Sequence, residues 1–195
     1  MSTRSHHMPF GATVQAGGGG VEFALWAPSE PSVVLEHRAA GGGAVSRPME
    51  RDHRGWHRLL VPQAGHGDRY SYLLANGSRV PDPASRFNPD DVHGPSAVMD
   101  PHRFGWTDDA WRGRPWEEAV VYELHVGAFT QEGSFDAARE RLGELAELGI
   151  TAIELMPLAD FPGRRNWGYD GVLPFAPDAA YGTPDDLKAL VDAAH

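Results

Sequence analysis

The hydrophobic periodicity of this 195-residue chain changes near its middle, between about Asp100 and Glu118. Before this point, apolar and polar residues alternate in short runs that are separated by glycine-rich segments. After it, nearly continuous apolar runs alternate with apolar residues at helical spacing. A period of two indicates half-buried strands, whereas apolar runs that alternate with helices indicate a parallel sheet. The sequence therefore predicts two structural units of different class, joined by a linker at residues 101–119.

The first unit is predicted to be a β-sandwich at residues 9–100. Pro28 ends its first strand, because proline has no N–H to donate to a sheet. The Asn76-Gly77 pair has the residue preference of a type I′ hairpin turn. Several short strands at this spacing are typical of a sandwich. The segments with strand alternation are Val21–Trp26, residues 33–36, Trp56–Val61 and residues 70–75.

The segments between and around these strands are interpreted from their composition. Glycine runs at residues 17–20 and 41–43 are turns, because neither Lys-Ser/Thr nor a helical pattern follows them as in a phosphate-binding loop. The proline-dense connector at residues 80–101 is either a functional loop or a segment packed against the next unit, and composition leaves both open. Residues 1–8 are expected to be a disordered tail, in which His6 and His7 are not a metal site.

The second unit is predicted at residues 120–195 as the first two βα units of a (β/α)8 TIM barrel. Residues 120–129 and 150–158 are apolar runs typical of strands buried on both faces. Ser134 is placed to cap the helix between them, and Gly149 to end it. A long loop at residues 159–181 precedes a helix that Thr183 begins. A closed barrel needs about 250 residues, so we expect a truncated part of a larger protein.

Composition excludes several classes of function. The chain has 17 Lys and Arg against 27 Asp and Glu, and this formal charge of −10 disfavours nucleic acids and anionic membranes. No apolar run approaches the roughly 18 residues of a membrane span. The absence of cysteine excludes disulfides, thiolate metal sites and thiol catalysis. We therefore expect a cytoplasmic protein with no metal, no cofactor, and no nucleic-acid or membrane partner.

Several ordered motifs resemble one family of enzymes. Residues 120–127 (VVYELHVG), 153–157 (IELMP), 166–170 (NWGYD) and 181–187 (YGTPDDL) resemble the opening of the α-amylase-type barrel. Within that superfamily, residues 80–96 (VPDPASRFNPDDVHGPS) and 160–170 (DFPGRRNWGYD) are similar to the maltooligosyltrehalose trehalohydrolase family. Residues 23–28 (FALWAP) and 67–70 (GDRY) resemble the sandwich that precedes the barrel in these enzymes. The resemblance runs from about residue 10 to residue 195.

This resemblance implies a glycoside hydrolase of trehalose biosynthesis, which cleaves the α-1,4 bond next to the terminal trehalose unit of a maltooligosyltrehalose. It also implies an immunoglobulin-like, early-set sandwich similar to starch-binding modules. In the family, the nucleophilic Asp, the acid/base Glu and a second Asp follow later strands, so we expect no catalytic residue before His195 and an inactive isolated chain. His195 ends a helix and does not correspond to the histidine of the family's Asp-Asn-His motif.

Substrate binding is the role that the resemblance leaves to this chain. Tyr169 corresponds to the aromatic platform under the sugar beside the scissile bond, at the face where barrels bind ligands. Asp170 is expected either to hydrogen-bond sugar hydroxyls or to hold Arg164 or Arg165. Trp167 is a further candidate, although tryptophan in such a loop more often packs.

Two side chains on the first predicted strand also face the candidate site. His125 shares a strand face with Glu123 by period-two alternation and lies nearer the ligand-binding end. Glu123 and Glu154, on neighbouring strands, superficially offer an acid pair. We do not assign them catalysis, because buried strand carboxylates usually pair with an Arg or the backbone, and the family places its acids elsewhere.

Two alternative functions remain open. A 1,4-α-glucan branching or debranching enzyme shares the sandwich and the early barrel motifs. A non-catalytic glucan-binding module would instead use exposed aromatic residues of the sandwich, for which Trp26, Trp56 and Tyr70 are available. Strand periodicity favours core packing for at least two of these three residues.

Overall fold

The computed structural model describes residues 8–195, so His6 and His7 and most of the predicted tail lie outside the described range. The strands are β1 (Gly11–Val14), β2 (Val21–Trp26), β3 (Val33–Arg38), β4 (Ala44–Pro48), β5 (Glu50–Arg51), β6 (Trp56–Val61), β7 (Arg69–Leu74), β8 (Arg79–Val80), β9 (Ser96–Ala97), β10 (Val121–Leu124), β11 (Ala152–Leu155), β12 (Ala159–Asp160) and β13 (Leu173–Pro177). The α-helices are α1 (Val126–Phe129), α2 (Phe135–Glu140), α3 (Leu142–Glu147) and α4 (Pro184–Ala194).

Strands β1 to β9 form a sandwich of two antiparallel sheets, as the sequence predicts. One sheet has the order β1-β2-β6-β5, and the other has the order β4-β3-β7-β8, with β9 also paired to β7. Alternation places one side-chain face of each strand between the sheets. Phe23, Leu35 and Tyr72 are fully buried there. This shared apolar layer is the core of the unit.

The strand predictions succeed where one face of the strand is buried. β2 and β6 have the predicted bounds, while β3 and β7 differ from them by one or two residues. The sequence does not predict β1, β4 or β5. β4 is almost entirely exposed and therefore carries no alternation, and β5 has only two residues. Gly11, with φ +82°, begins β1 and weakens its strand signal.

The predicted hairpin turn at Asn76-Gly77 exists, but its type is different. A type I′ turn needs positive φ at both central residues, and Gly77 has φ +85° whereas Asn76 does not have positive φ. Leu74 N donates to Ser78 O at 2.9 Å, so the loop has three residues. The Asn76 side chain accepts from Ser78 N at 2.9 Å. A three-residue loop with glycine in the left-handed conformation fits this geometry.

The connector packs tightly against the sandwich. Asp82 is 1% exposed, and its carboxylate accepts hydrogen bonds from the hydroxyls of Tyr70 at 2.8 Å and Tyr72 at 3.3 Å. Ser96 Oγ donates to Asn88 Oδ1 at 3.1 Å, and both residues are fully buried. Burial raises the pKa of Asp82, although its hydrogen bonds favour the charged form. These contacts are with the sandwich. The connector also meets the next unit, as one of the two readings expects, where Val92 packs with Leu173 and Ala176.

The second unit contains the predicted alternation of strands and helices. β10 and β11 pair in parallel, with Tyr122 opposite Ile153. The expectation of a strand at residues 120–129, buried on both faces, is wrong: β10 has four residues, three of them exposed, and α1 begins at Val126. Within the described residues the pair has no third strand, so its outer edges are unpaired.

Helix ends in this unit follow the predicted capping residues. Ser134 Oγ accepts from Ala137 N at 3.2 Å. The helix that it begins is interrupted at Arg141, which separates α2 from α3, and Gly149 follows with φ +95°. Thr183 begins α4 in a capping box with Asp186. These local signals are short-range, which is why the sequence predicts them well.

The predicted loop at residues 159–181 contains a hairpin that the sequence does not reveal. β12 and β13 pair antiparallel with an irregular register. Pro174 and Pro177 within β13 argue against a strand by composition, because proline weakens sheet pairing. The hairpin sets the two ends of the intervening segment side by side.

The linker packs against the end of α4. His195 is the C-cap residue of this helix. Its Nδ1 lies 2.6 Å from Asp108 Oδ2, and its ring stacks on Trp111 at 3.8 Å between centroids. Thr107 Oγ1 donates to the Asp192 carboxylate at 2.7 Å. His195 therefore lies at the end of a helix, as predicted, and it also contacts the linker.

Candidate functional site

An exposed loop lies beyond the carboxyl end of β11, the end at which parallel βα units bind ligands. Residues 161–172, here called the aromatic loop, connect β12 to β13. Within this loop, Trp167 is 69% and Tyr169 58% exposed. Their ring centroids are 5.2 Å apart with an interplanar angle of 50°. The two rings therefore form a continuous apolar surface that is open to solvent.

Gly168 permits this arrangement of the two rings. Its φ is +120°, and a Cβ atom at this position would lie 2.5 Å from Met156 Cε. The Asn166 side chain accepts a short hydrogen bond from Gly168 N. Met156 Cε is the end of a flexible side chain that can move, so the φ of +120° is the stronger reason why position 168 requires glycine. The sequence analysis names Trp167 and Tyr169 but assigns no role to Asn166. The preference of asparagine for turns could have indicated that Asn166 shapes this loop.

Asp170 contacts Trp167. Trp167 Nε1 donates to Asp170 Oδ1 at 2.7 Å, which fixes the orientation of the indole ring. Of the two roles left open for Asp170, an ion pair with Arg164 or Arg165 is not formed within the described residues. Within the described residues no protein group donates to its second carboxylate oxygen, Oδ2, which can therefore accept from a ligand hydroxyl.

His125 supports the aromatic loop from beneath. It follows β10 directly, and its Nε2 donates to Asn166 O at 2.9 Å. A carbonyl oxygen only accepts, so Nε2 carries a proton. Among the described residues Nδ1 is buried without a hydrogen-bond partner. The ring also meets Tyr181 edge to face, at 6.0 Å between centroids. The structure thus brings His125, Trp167, Tyr169 and Asp170 into one connected group.

Glu123 and Glu154 lie directly opposite each other on the parallel strands and are both exposed. Neither side chain forms an ion pair among the described residues. The same residues contain no cluster of three or more metal-ligating side chains. Among the described helices, none is long and apolar enough to cross a membrane.

Two buried carboxyl groups lie at the base of the aromatic loop, and sequence reasoning misses both. Asp160 in β12 is 1% exposed, and Asp178, next to β13, is 2% exposed. Burial and the neighbouring Asp178 raise the pKa of Asp160 to about 7. Burial likewise raises the pKa of Tyr181, to about 12. The two acids are eighteen positions apart, so only the hairpin pairing reveals their proximity.

The chain thus combines a sandwich with parallel βα units and has exposed aromatic rings beyond the carboxyl end of the strands. Residues 9–91 match carbohydrate-binding module 48, the isoamylase N-terminal domain. Over 97% of its length the chain is 48% identical to a solved structure from Salmonella typhimurium, provisionally assigned as an alpha amylase, with a TM-score of 0.91 and 32% of that chain covered.

The particular resemblance seen in the motifs is confirmed by the curated relatives. A malto-oligosyltrehalose trehalohydrolase of Deinococcus radiodurans is 46% identical over 100% of this chain. A 1,4-alpha-glucan branching enzyme of Photobacterium profundum is 34% identical over 90% of it. The chain spans 32% and 27% of these two relatives. A pullulanase from Anoxybacillus sp. LM18-11, solved with maltotetraose, shares the fold at 21% identity, with a TM-score of 0.79 over 97% of this chain and 33% of that one.

Proposed function

We propose that the complete gene product is a glycoside hydrolase that releases trehalose from maltooligosyltrehalose by cleaving the adjacent α-1,4 bond. The observation that carries this proposal is the pair of exposed rings, Trp167 and Tyr169, at the ligand-binding end of the parallel strands. The higher identity to a trehalohydrolase than to a branching enzyme supports the choice of reaction. An α-glucan ligand is also supported by the maltotetraose bound to the pullulanase.

In this proposal the chain binds and orients the sugar. The flat ring of Tyr169 stacks against the apolar face of a pyranose, and Trp167 extends the same surface. Asp170 holds Trp167 through one oxygen and accepts a sugar hydroxyl through the other. His125 keeps the loop in place through Asn166. Correct placement of the anomeric carbon is worth a large share of the catalytic barrier.

The chemical step needs two carboxyl groups, about 5 to 5.5 Å apart when configuration is retained. One attacks the anomeric carbon, and the other protonates the leaving oxygen and then activates water. We assign both to parts of the gene product beyond His195, as the resemblance implies. A cytoplasmic location and a role in trehalose biosynthesis belong to the same proposal, and the lack of cysteine fits a reducing compartment.

The experiment that tests the reaction compares two substrates. The complete gene product is incubated with maltooligosyltrehalose and, separately, with amylose. Trehalose released from the first substrate, without new branch points in the second, is the expected result. New α-1,6 branches without trehalose would assign the gene product to the branching enzymes instead.

A glucan-binding sandwich is the second candidate, and exposed Trp26 is the observation that favours it. Trp26 is 59% exposed and pairs across the sheet with Trp56, which Arg58 covers at 4.7 Å from the ring centroid. Tyr70 is 2% exposed and belongs to the core, so it offers no sugar surface. Glucan pull-down by the chain and by its Trp26→Ala variant tests this candidate, since retained binding in the variant excludes it.

A further inference from the structure

Asp160 and Asp178, here called the carboxyl pair, meet where the hairpin strands β12 and β13 come together. Asp178 accepts two backbone hydrogen bonds, from Phe161 N at 3.0 Å and from Ala180 N at 2.7 Å. Within the described residues the Asp160 carboxyl group has no backbone donors, and its Oδ2 is buried without a hydrogen-bond partner. The two acids thus have similar burial and very different hydrogen bonding.

The difference in hydrogen bonding indicates which of the two carboxyl groups carries a proton. Both carboxyl groups line one cavity, and a side-chain hydrogen bond with Asp178 is among the causes that raise the pKa of Asp160. Two carboxylates cannot form such a bond, because neither carries a donor. The backbone donors stabilise the charged form of Asp178, whereas a charged Asp160 would be buried without compensation. The proton therefore resides on Asp160, which then donates to Asp178.

A third acid, Asp91, links the region around the carboxyl pair to the connector of the sandwich. Asp91, in the connector, accepts from Gly163 N at 2.9 Å, and Gly163 belongs to the aromatic loop. Asp91 has φ +72°, a strained value for a residue other than glycine, and strain of this kind persists only where the surroundings fix it. Asp91 and the carboxyl pair line one cavity of about 310 Å³. Exposed Arg164 lines the same cavity.

We propose that the carboxyl pair shares a single proton and that loss of this proton loosens the base of the aromatic loop. Deprotonation places two negative charges in contact, with Asp91 nearby as a third. Asp178 is then repelled from the position in which it holds the amides of Phe161 and Ala180. The aromatic loop begins at Phe161, so weakening this anchor frees the loop that carries the exposed rings.

The electrostatic surroundings of the pair favour this behaviour. Burial is the largest cause that raises the pKa of Asp160 to about 7, followed by the negative charge of Asp178, and Asp91 adds to it. Asp90 faces the same cavity but lies 3.5 Å from Arg69. Tyr181, the remaining titratable neighbour, keeps its proton, because burial raises its pKa to about 12. A raised carboxyl pKa stabilises the fold fully below about pH 4, and this stability is lost as the pH rises to about 7.

A carboxyl titration of the chain tests the shared proton. Carbon-13 NMR of labelled aspartate side chains is recorded from pH 4 to pH 9 on the wild type and on Asp160→Asn. We expect one carboxyl signal to titrate near pH 7 in the wild type and to be absent from the variant. Asp109→Asn, which removes an exposed acid in the linker, is the matched control and should leave that signal unchanged. Wild-type carboxyls that all titrate below pH 5 would overturn the proposal.

Hydrogen exchange tests the loosening of the loop. After correction for intrinsic exchange rates, protection of the Phe161, Gly163 and Ala180 amides should fall by up to about tenfold per pH unit above pH 7, as expected for one linked proton. Asp160→Asn keeps a donor toward Asp178 permanently, so its protection should not depend on pH. Protection that is equally pH-dependent in this variant would refute the mechanism.

A second variant keeps the test valid if Asp160→Asn does not fold. Asparagine tolerates positive φ, so Asp91→Asn removes the charge at a backbone conformation that it can adopt. Its single amide oxygen keeps only one of the two backbone hydrogen bonds that Asp91 accepts, from Val92 N and Gly163 N. It should move the titration near pH 7 to lower pH, because one of the charges that raise it is gone. An unchanged titration would show that the charge of Asp91 does not contribute to the raised pKa of the carboxyl pair. These readouts are structural and do not depend on which sugar the loop binds.

Discussion

Replacing Asp82 with Ala should detach the connector from the sandwich and destabilise the chain strongly. The Asp82 carboxylate accepts three buried hydrogen bonds: from the hydroxyls of Tyr70 and Tyr72, and from Ala84 N at 2.8 Å. Alanine removes the acceptor that these three donors share, at a site that is 1% exposed. The connector would then lose the contact that holds it between β8 and β9.

The size of this effect follows from the stranded donors. Each buried donor that loses its partner costs about 1 to 3 kcal/mol, and removal of a buried charge returns part of this loss. We therefore expect Asp82→Ala to lower the free energy of unfolding by about 4 kcal/mol, a large share of the roughly 5 to 15 kcal/mol typical of a domain. Tyr72→Phe, which removes only the longer hydrogen bond of 3.3 Å, should cost about 1 kcal/mol.

Urea unfolding followed by circular dichroism measures these free energies. The slope against urea should be unchanged, because the surface exposed on unfolding is nearly the same. A double variant with Asp82→Ala and Tyr70→Phe should cost less than the sum of the single variants, since the second substitution removes a donor that the first has stranded. An Asp82→Ala chain within about 1 kcal/mol of the wild type would refute the reasoning.

Three further predictions concern the candidate site and its supports. Tyr169→Ala should lower kcat/KM of the complete gene product about a hundredfold while Tyr169→Phe retains most activity, because the ring provides the positioning; an Ala variant within about twofold of wild type would exclude the platform role. Because Tyr169 is 58% exposed, the melting temperature of the Tyr169→Ala variant should differ little from that of the wild type. Gly168→Ala should weaken glucan affinity, because alanine is strained at a φ of +120°. Adding Met156→Ala removes the clash with Met156 Cε but not this strain, so it should not restore the affinity fully. Full restoration would show that the clash with Met156 alone matters. Thr183→Ala should cost about 1 kcal/mol in urea unfolding through loss of the capping box, whereas no change would mean that α4 does not depend on its cap.

Local patterns predict much of this fold. Val21–Trp26 alternates because one face is buried, and its predicted bounds are those of β2. Ser134 and Thr183 cap helices through contacts three residues away, so the sequence itself contains the relevant partners. Pairing between distant segments leaves no such pattern. Asp160 and Asp178 become neighbours only through the hairpin, and nothing near either residue in sequence indicates that contact.

The site shows the same division. The resemblance of residues 160–170 selects Trp167 and Tyr169, and the structure places their rings 5.2 Å apart. Composition cannot choose between the two roles of Asp170, because its contact with Trp167 depends on the turn at Gly168. The expected length of β10 is wrong for a related reason. An apolar run marks residues that can be buried, but the point where α1 begins depends on backbone geometry beyond the run.

A titration of the labelled tryptophan side chains with maltooligosyltrehalose tests the central claim most directly. The chain has six tryptophans, and each indole Nε1–H gives its own NMR signal. We expect the Trp167 signal to shift with added ligand, because its indole belongs to the proposed platform and donates to Asp170. The Trp26 and Trp56 signals should stay in place. Shifts confined to Trp26 and Trp56, with Trp167 unchanged, would contradict the account and assign glucan binding to the sandwich.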